Sequence, residues 1–153
     1  MVIKQAIASQ VAGKLLQIKA IKLQPQEPFT WSSGWKSPIY CDNRVTLSDQ
    51  GIRTFIKESL VDLVKDRFGN VEGIAGVATA GIAQGALIAD MMNLPYAYVR
   101  PEPKSHGMGK QIEGRVAPGQ KVVLVEDLIS TGGSSLKAAK VMQEAGCEVL
   151  GVV

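Results

Sequence analysis

The stretch from Val122 to Ser135 constrains the fold more than any other part of the chain. It begins with four aliphatic residues, Val122–Val125, continues with the acidic pair Glu126 and Asp127, and ends in a loop of hydroxyls and glycines. Consecutive branched residues are typical of a strand that is covered on both faces of a parallel sheet. The apolar stripe that follows, with charged residues on the opposite side, predicts a helix over 134–145. The stretch therefore predicts a buried strand, a polar loop and a helix in direct succession.

The predicted loop lies at the carboxyl end of its strand, where open α/β sheets place their ligands. Glycines leave backbone N–H groups unblocked, and the dipole of the following helix favours an anion beside them. Carboxylates next to such an anion site accept hydrogen bonds from sugar hydroxyls. The loop therefore predicts a ligand with hydroxyls at one end and a phosphate at the other, which describes a ribose 5-phosphate. An ordinary polar turn is the alternative, but turn chemistry alone does not require two acids before the hydroxyls.

Composition and other motifs exclude several classes of protein. The chain lacks G-x-x-x-x-G-K-[ST], and no predicted strand runs into G-x-G-x-x-G. Its 153 residues suit one domain, and its net charge of +3 is too small to imply nucleic acid. No apolar run approaches the roughly twenty residues that span a bilayer, so no membrane partner is expected. Cys41 and Cys147 have no metal or redox spacing, which favours reduced thiols in a cytoplasmic protein.

The rest of the chain predicts an α/β fold. We expect an amphipathic helix through about Ala20, short extended pieces over Ile21–Arg44, and a second helix capped by Ser48 and Asp49. After Asn70 strand and helix patterns alternate, which predicts a central, mostly parallel sheet flanked by helices. The predicted strands are 73–78, 96–99, 122–125 and 148–153, and the helices between them are 82–92 and 134–145.

The segment from Arg100 to Gly119 is polar and carries no periodic pattern. Loops of this length without secondary structure are usually functional or disordered. It contains His106, the only histidine of the chain. On composition alone a solvated, charged loop is the better interpretation.

The Val122–Ser135 stretch resembles the phosphoribosyl pyrophosphate (PRPP) motif of type I phosphoribosyltransferases. Three more segments resemble orotate phosphoribosyltransferases, in the same order along the chain: 29–44 with its Ser-Gly-x-Lys-Ser-Pro core at 33–38, 75–82 as the pyrophosphate loop, and 100–114 as the mobile catalytic loop. On this resemblance the chain is identified as a member of that family. The implied fold is the type I phosphoribosyltransferase fold, a single domain with an N-terminal helix and base-binding hood over 1–45 and a PRPP-binding core over 46–153.

The resemblance implies a reaction in which orotate N1 displaces pyrophosphate from PRPP, giving orotidine 5′-monophosphate for UMP synthesis. Catalytic roles are implied for Lys104, His106 and Asp127. PRPP contacts are implied for Arg100, Lys104, His106, Glu126, Asp127, Leu128, Ile129, Ser130, Thr131, Gly132, Gly133 and Ser134. Orotate contacts are implied for Lys36, Tyr40, Cys41 and Ser130. The resemblance also implies Mg²⁺ held mainly by PRPP, and a cytoplasmic homodimer with shared active sites.

Two departures from the family and two alternative functions remain. Ala80 and Pro101 stand where family members often carry lysine, and the chain ends at Val153 with the hydrophobic run of its last strand intact. We therefore expect a core that lacks its carboxyl-terminal part, and weakened orotate binding by this chain alone. A purine-type phosphoribosyltransferase is one alternative, which segments 33–38 and 104–109 argue against. A PRPP-sensing regulator that binds nucleic acid is the other, and 17 basic against 14 acidic residues disfavour it.

Overall fold

A computed structural model of the chain describes residues 5–31, 33–102 and 110–153, so that Lys104 and His106 lie outside the described residues. The chain divides into two compact units, Met1–Ser59 and Leu60–Val153. No helix within the described ranges has both the length and the apolar character of a membrane span. The prediction of a single domain stays a prediction.

The N-terminal unit contains the helix and the short extended pieces that the sequence predicts. Helix α1 spans Gln5–Gln17, and two antiparallel pairs follow, each made of very short strands. Strand β1 (Ile21–Leu23) pairs with β4 (Ile39–Cys41), and β2 (Phe29–Thr30) pairs with β3 (Lys36–Ser37). A 3-10 helix over Asn43–Ser48 then leads to α2, Gln50–Arg67.

The cap of α2 was predicted in part correctly. The Asp49 carboxylate accepts a hydrogen bond from the backbone N–H of Ile52 at 2.8 Å, as a capping side chain does. Ser48 instead ends the 3-10 helix. The 3-10 helix before α2, which no periodic pattern in the sequence predicts, includes Ser48, so Asp49 alone caps α2.

The C-terminal unit is built on a five-stranded sheet in the order β7-β6-β5-β8-β9. Strands β6, β5, β8 and β9 run parallel, and β7 is antiparallel to β6, which confirms the predicted mostly parallel sheet. The strands are β5 (Gly73–Val77), β6 (Tyr96–Val99), β7 (Ile112–Gly114), β8 (Lys121–Val125) and β9 (Glu148–Val152). The helices after β5 and β8 are α3 (Gly81–Met92) and α4 (Gly133–Glu144).

Strand β7 corrects the prediction of a structureless loop from Arg100 to Gly119. Its three residues pair with Ala97, Tyr98 and Val99 of β6, so the segment is a hairpin around the outer part of the loop. Three residues are too few to show an alternating pattern, and for that reason the sequence did not reveal the strand.

The aliphatic run Val122–Val125 is buried because helices cover both faces of the sheet. Val122 and Leu124 face one cluster, with Ala138 and Met142 of α4. Val123 and Val125 face the other, which contains residues of α2 and α3. Each of the four is at most 1% exposed, and burial of such a side chain contributes about 1.5–3 kcal/mol. The core therefore fixes the position of the residue that follows the strand, Glu126.

Candidate active site

The carboxyl ends of three parallel strands meet at one edge of the C-terminal unit. Val77 of β5 is paired with Val99 of β6, and Gly76 of β5 is paired with Val125 of β8. The next residues along each strand are the turn 78–80, Arg100 and Glu126. The register thus brings together the segment that resembles a pyrophosphate loop, the first cation of the catalytic-loop segment, and the acidic pair.

Gly81 allows the turn after β5 to lie against the end of β8. A Cβ at this position would overlap the carbonyl oxygen of Val125 and lie 3.4 Å from the Cα of Glu126. The turn is also bonded to β6, since the N–H of Ala78 donates to the carbonyl of Val99 at 2.9 Å, and the peptide bond between Ala78 and Thr79 is cis. Only glycine permits this close approach of the α3 N-terminus to the acidic pair.

The carboxylate of Glu126 is held at both of its oxygens. The backbone N–H of Asp127 donates to Oε1 at 3.1 Å, and the hydroxyl of Ser134 donates to Oε2 at 3.1 Å. Its own backbone N–H donates to the carbonyl of Val153 at 2.9 Å, which continues the pairing of β8 with the last strand, β9, by one residue. Partial burial raises the pKa of Glu126 above its ordinary value, and the Asp127 N–H and the Ser134 hydroxyl oppose that rise. Glu126 is therefore a fixed hydrogen-bond acceptor at the edge of the sheet.

The loop between Glu126 and α4 ends in a helix N-terminus without a side-chain cap. Gly132, the N-cap residue, has φ +79°, a left-handed conformation that glycine adopts at low cost, and makes no side-chain capping bond. The first N–H groups of a helix have no intrahelical partner, and they favour an anion together with the helix dipole. Leu128, Ile129, Ser130 and Thr131 are exposed beside it. The arrangement suits a phosphate group at the start of α4.

Arg100 lies at the base of the β6–β7 hairpin and is paired there with a residue that the sequence did not single out. Its Nη1 is 3.4 Å from Oε1 of Glu113, which the strand register places opposite Tyr98 on the same face of the sheet. The side-chain amide of Gln111 donates to the carbonyls of Arg100 and Pro101, at 3.3 Å each. In the sequence, only the Gln-Ile-Glu-Gly stretch at the end of the loop could have indicated that Gln111 and Glu113 lie beside Arg100, and this stretch is too short to predict a strand.

The predicted orotate residues other than Ser130 lie in the N-terminal unit. The Lys36 ammonium donates to the Thr30 hydroxyl at 2.7 Å, the Tyr40 ring centroid lies 5.5 Å from that of Phe29, and the Cys41 thiol donates to Asn43 Oδ1 at 3.0 Å. These contacts order the two short strand pairs. A contact of Lys36, Tyr40 or Cys41 with orotate stays a prediction, as do the roles of Lys104 and His106.

A dedicated metal cage is not found in the described ranges, where no group of three or more His, Cys, Asp and Glu residues is placed to hold an ion. The adjacent carboxylates of Glu126 and Asp127 nevertheless provide hard oxygen donors at the edge of the sheet. Mg²⁺ commonly binds through one or two carboxylates together with phosphate oxygens of a substrate and water. The donor set therefore fits a magnesium ion that a phosphorylated ligand brings with it.

Known proteins match this chain in sequence and in fold. Residues 47–153 match the family described as phosphoribosyl transferase domain. The orotate phosphoribosyltransferase of Porphyromonas gingivalis is 58% identical over 149 residues, which are 97% of this chain and 71% of that protein. The one from Bacteroides fragilis is 63% identical over 142 residues, 93% of this chain and 67% of the relative. The crystal structure of orotate phosphoribosyltransferase from Aeropyrum pernix superposes with a TM-score of 0.79 at 33% identity, covering 91% of this chain and 76% of that one. The chain belongs to the phosphoribosyltransferase family and, within it, to the orotate phosphoribosyltransferases.

Proposed function

We propose that the chain transfers the ribose 5-phosphate of PRPP to N1 of orotate, giving orotidine 5′-monophosphate and pyrophosphate. The observation that carries this proposal is the loop from Glu126 to Ser134, in which a fixed carboxylate and an uncapped helix N-terminus stand at the two ends. The names of the relatives at 58–63% identity support orotate as the base.

The acidic pair would bind the sugar and the loop would bind its phosphate. Glu126 and Asp127 accept hydrogen bonds from the 2′- and 3′-hydroxyls, and such bonds to a charged group contribute about 1.5–3 kcal/mol. The N–H groups of the loop and of the first turn of α4, with the hydroxyls of Ser130 and Thr131, donate to the 5-phosphate. Gripping both ends of the ribose phosphate fixes C1′, the reacting carbon, relative to the turn after β5.

The opposite end of PRPP carries the leaving group. As the bond from C1′ to the pyrophosphate oxygen breaks, its electron pair passes to that oxygen while N1 of orotate forms the new bond to C1′. Arg100, at the same edge, offers a planar guanidinium to the growing negative charge, an interaction that is stronger in the transition state than in the ground state. Mg²⁺ brought to the site by PRPP would supply further neutralisation of the charge on the pyrophosphate. We assign Arg100 to pyrophosphate and keep Lys104 and His106 as proposed contacts from the resemblance.

The reaction is tested by following the loss of orotate absorbance with PRPP and Mg²⁺. Asp127→Asn removes one charged acceptor, and we expect kcat/KM to fall roughly 10- to 150-fold, which corresponds to about 1.5–3 kcal/mol. Asp62→Asn is the matched control, because Asp62 is an exposed carboxylate on α2, and it should leave turnover unchanged. Unchanged turnover in Asp127→Asn would remove that residue from the site.

The same assay separates the alternatives. Turnover with adenine or another purine base, and none with orotate, would establish the purine-type reaction instead. Binding of PRPP without turnover on any base, together with salt-dependent retention on RNA or DNA, would establish the regulator.

We propose a cytoplasmic homodimer with shared sites, a prediction from the resemblance. Sedimentation equilibrium gives the mass in solution, and a mass of one chain at assay concentrations would contradict it. Mixing two impaired variants, Asp127→Asn and Lys104→Ala, is expected to raise activity above that of either variant alone if each site draws residues from both subunits.

A further inference from the structure

The side chain of Tyr96 connects the start of β6 with the first turn of α3, in the segment that resembles a pyrophosphate loop. Tyr96 is half-buried, and its hydroxyl donates to the carbonyl of Ile82 at 2.7 Å. We propose that Tyr96 is a positioning residue, which acts through Ile82 to hold the turn 78–80 in the shape that binds the pyrophosphate end of PRPP. This inference rests on the proposed function.

The turn itself is connected to Tyr96 by a second hydrogen bond. The N–H of Ile82 donates to the carbonyl of Thr79 at 3.3 Å, so the residue that Tyr96 holds also holds the middle of the turn. At the start of the turn, the N–H of Ala78 donates to the carbonyl of Val99 in β6 at 2.9 Å. Strand β6 therefore restrains the turn on both sides, through its backbone at Ala78 and through the side chain of Tyr96 at Ile82.

Glycines at positions 76 and 85 leave the room that the Tyr96 side chain occupies. A Cβ at Gly76 would lie 2.5 Å from the hydroxyl oxygen of Tyr96 and 3.0 Å from the Cα of Ile82. A Cβ at Gly85 would lie 3.0 Å from the ring carbon Cε2 of Tyr96. These distances are shorter than the separation of about 3.5–4.0 Å that non-bonded carbon atoms prefer. The ring is therefore closely confined, and its hydroxyl is directed at one carbonyl.

The turn depends on the directions of its backbone groups because it has no cationic side chain of its own. Its residues are Ala78, Thr79 and Ala80, and Ala80 stands where family members often carry lysine. Helix α3 begins after Ala80 without a side-chain cap, and the first N–H groups of a helix have no intrahelical partner. Phosphate oxygens would be bound here by backbone N–H groups and the Thr79 hydroxyl. A side chain that fixes the backbone then contributes to affinity without touching the ligand.

Tyr96 lies on the face of the sheet opposite to α4. Its ring packs in the cluster that contains Ile88 and Ala89 of α3, whereas Ala138 and Met142 of α4 belong to the cluster on the other face. Loss of the Tyr96 hydroxyl is therefore expected to disturb the turn before α3 and to spare the loop before α4, which is the proposed site of the 5-phosphate.

Two ligands distinguish these two ends of the site in the full chain. Calorimetric titration with ribose 5-phosphate measures the affinity of the acidic pair and the loop before α4. Titration with pyrophosphate and Mg²⁺, in the presence of saturating ribose 5-phosphate, measures the affinity of the remaining end. Tyr96→Phe removes the hydroxyl and keeps the ring. We expect it to weaken pyrophosphate about 3- to 10-fold, as for the loss of one hydrogen bond, and to leave ribose 5-phosphate within about twofold of the wild type.

Tyr98→Phe is the matched control, because Tyr98 lies on the same face of the same strand and is also half-buried. Its hydroxyl makes no hydrogen bond to another residue in the described part of the chain. This variant should leave both affinities within about twofold of the wild type. Urea unfolding reports the stability of the two variants. A merely structural role of Tyr96 would lower the midpoint of unfolding and leave the ratio of the two dissociation constants as in the wild type.

An unchanged affinity of Tyr96→Phe for pyrophosphate, or an equal loss of affinity for both ligands, would overturn the inference. Failure of the proposed function looks different, because the wild type would then form no product from orotate and PRPP. A wild type that turns over but binds no pyrophosphate beside ribose 5-phosphate would overturn the inference and leave the proposed reaction standing.

Discussion

Gly81→Ala should destabilise the chain and weaken PRPP binding together, because of where the added methyl group would lie. The Cβ would overlap the carbonyl oxygen of Val125 and come within 3.2 Å of its carbonyl carbon. Val125 is fully buried, and its strand β8 is paired with β5 on one side and β9 on the other. The carbonyl has no room to retreat, so the start of α3 or the end of β8 must move.

The size of the effect follows from two opposing terms. Alanine is more favourable than glycine in a helix interior by about 1 kcal/mol, and by less at the first helical residue. Overpacking of a closed core costs about 1–3 kcal/mol, and a clash with backbone belongs at the upper end of that range. We expect a net loss of about 2 kcal/mol in the free energy of unfolding. With a denaturant dependence of about 2 kcal/mol per molar urea, the midpoint would fall by roughly 1 M.

Urea unfolding followed by fluorescence measures the midpoint of unfolding, and titration with PRPP measures the affinity of the site for this ligand. Gly13→Ala is the control: a Cβ there meets nothing within 4 Å, and Gly13 lies inside α1, so the substitution should raise stability by about 0.5–1 kcal/mol. If Gly81→Ala were as stable as the wild type and bound PRPP equally well, the close approach of α3 to the end of β8 would not exist as described.

Three further predictions concern single side chains. Ser135→Ala should leave the free energy of unfolding unchanged or raise it by up to about 1 kcal/mol in urea unfolding, because the buried hydroxyl has no partner in the described part of the chain; a larger loss would reveal one. Glu113→Gln should lower the free energy of unfolding by less than about 1 kcal/mol in the same assay, since the ion pair of Glu113 with Arg100 is partly exposed. Glu144→Gln, which removes the exposed ion pair with Lys140, is its control. Burial raises the pKa of Tyr96 to about 12, so the contribution of its neutral hydroxyl to stability is complete below pH 10 and is lost as the pH rises toward 12. Tyr96→Phe should therefore flatten the curve of stability against pH between pH 10 and 12, and an unchanged slope would contradict the raised pKa.

Much of the fold could be predicted because burial determines residue type. The run Val122–Val125 needs four aliphatic residues only if both faces of its strand are covered, and the structure covers both. The helices after β5 and β8 were predicted to within one residue at each end, since their apolar stripes repeat over three turns. Patterns that repeat are the ones that a sequence reveals.

Features made by one or two contacts could not be predicted. Strand β7 is three residues long, and what fixes it is pairing with β6, which depends on the tertiary fold and not on local pattern. The sequence likewise placed Ser134 in a phosphate loop by resemblance, whereas its bond to Glu126 depends on how the loop folds back over eight residues. The register of the sheet, which brings Arg100 to the same edge as the acidic pair, also had to come from the structure.

We expect stability and ligand binding to be coupled in this chain, because the buried strand ends in the residue that is proposed to hold the sugar. The backbone of Glu126 is tied to Val153, and its carboxylate is tied to α4 through Ser134. A core substitution that shifts α4 against the sheet, such as one at Met142, would therefore move a hydrogen-bond donor of the carboxylate without touching the ligand. Since interiors are close-packed and transmit small displacements, we expect the affinity for both the sugar and the phosphate to depend on the packing of α4, because its first turn is the proposed phosphate site and its Ser134 holds the carboxylate.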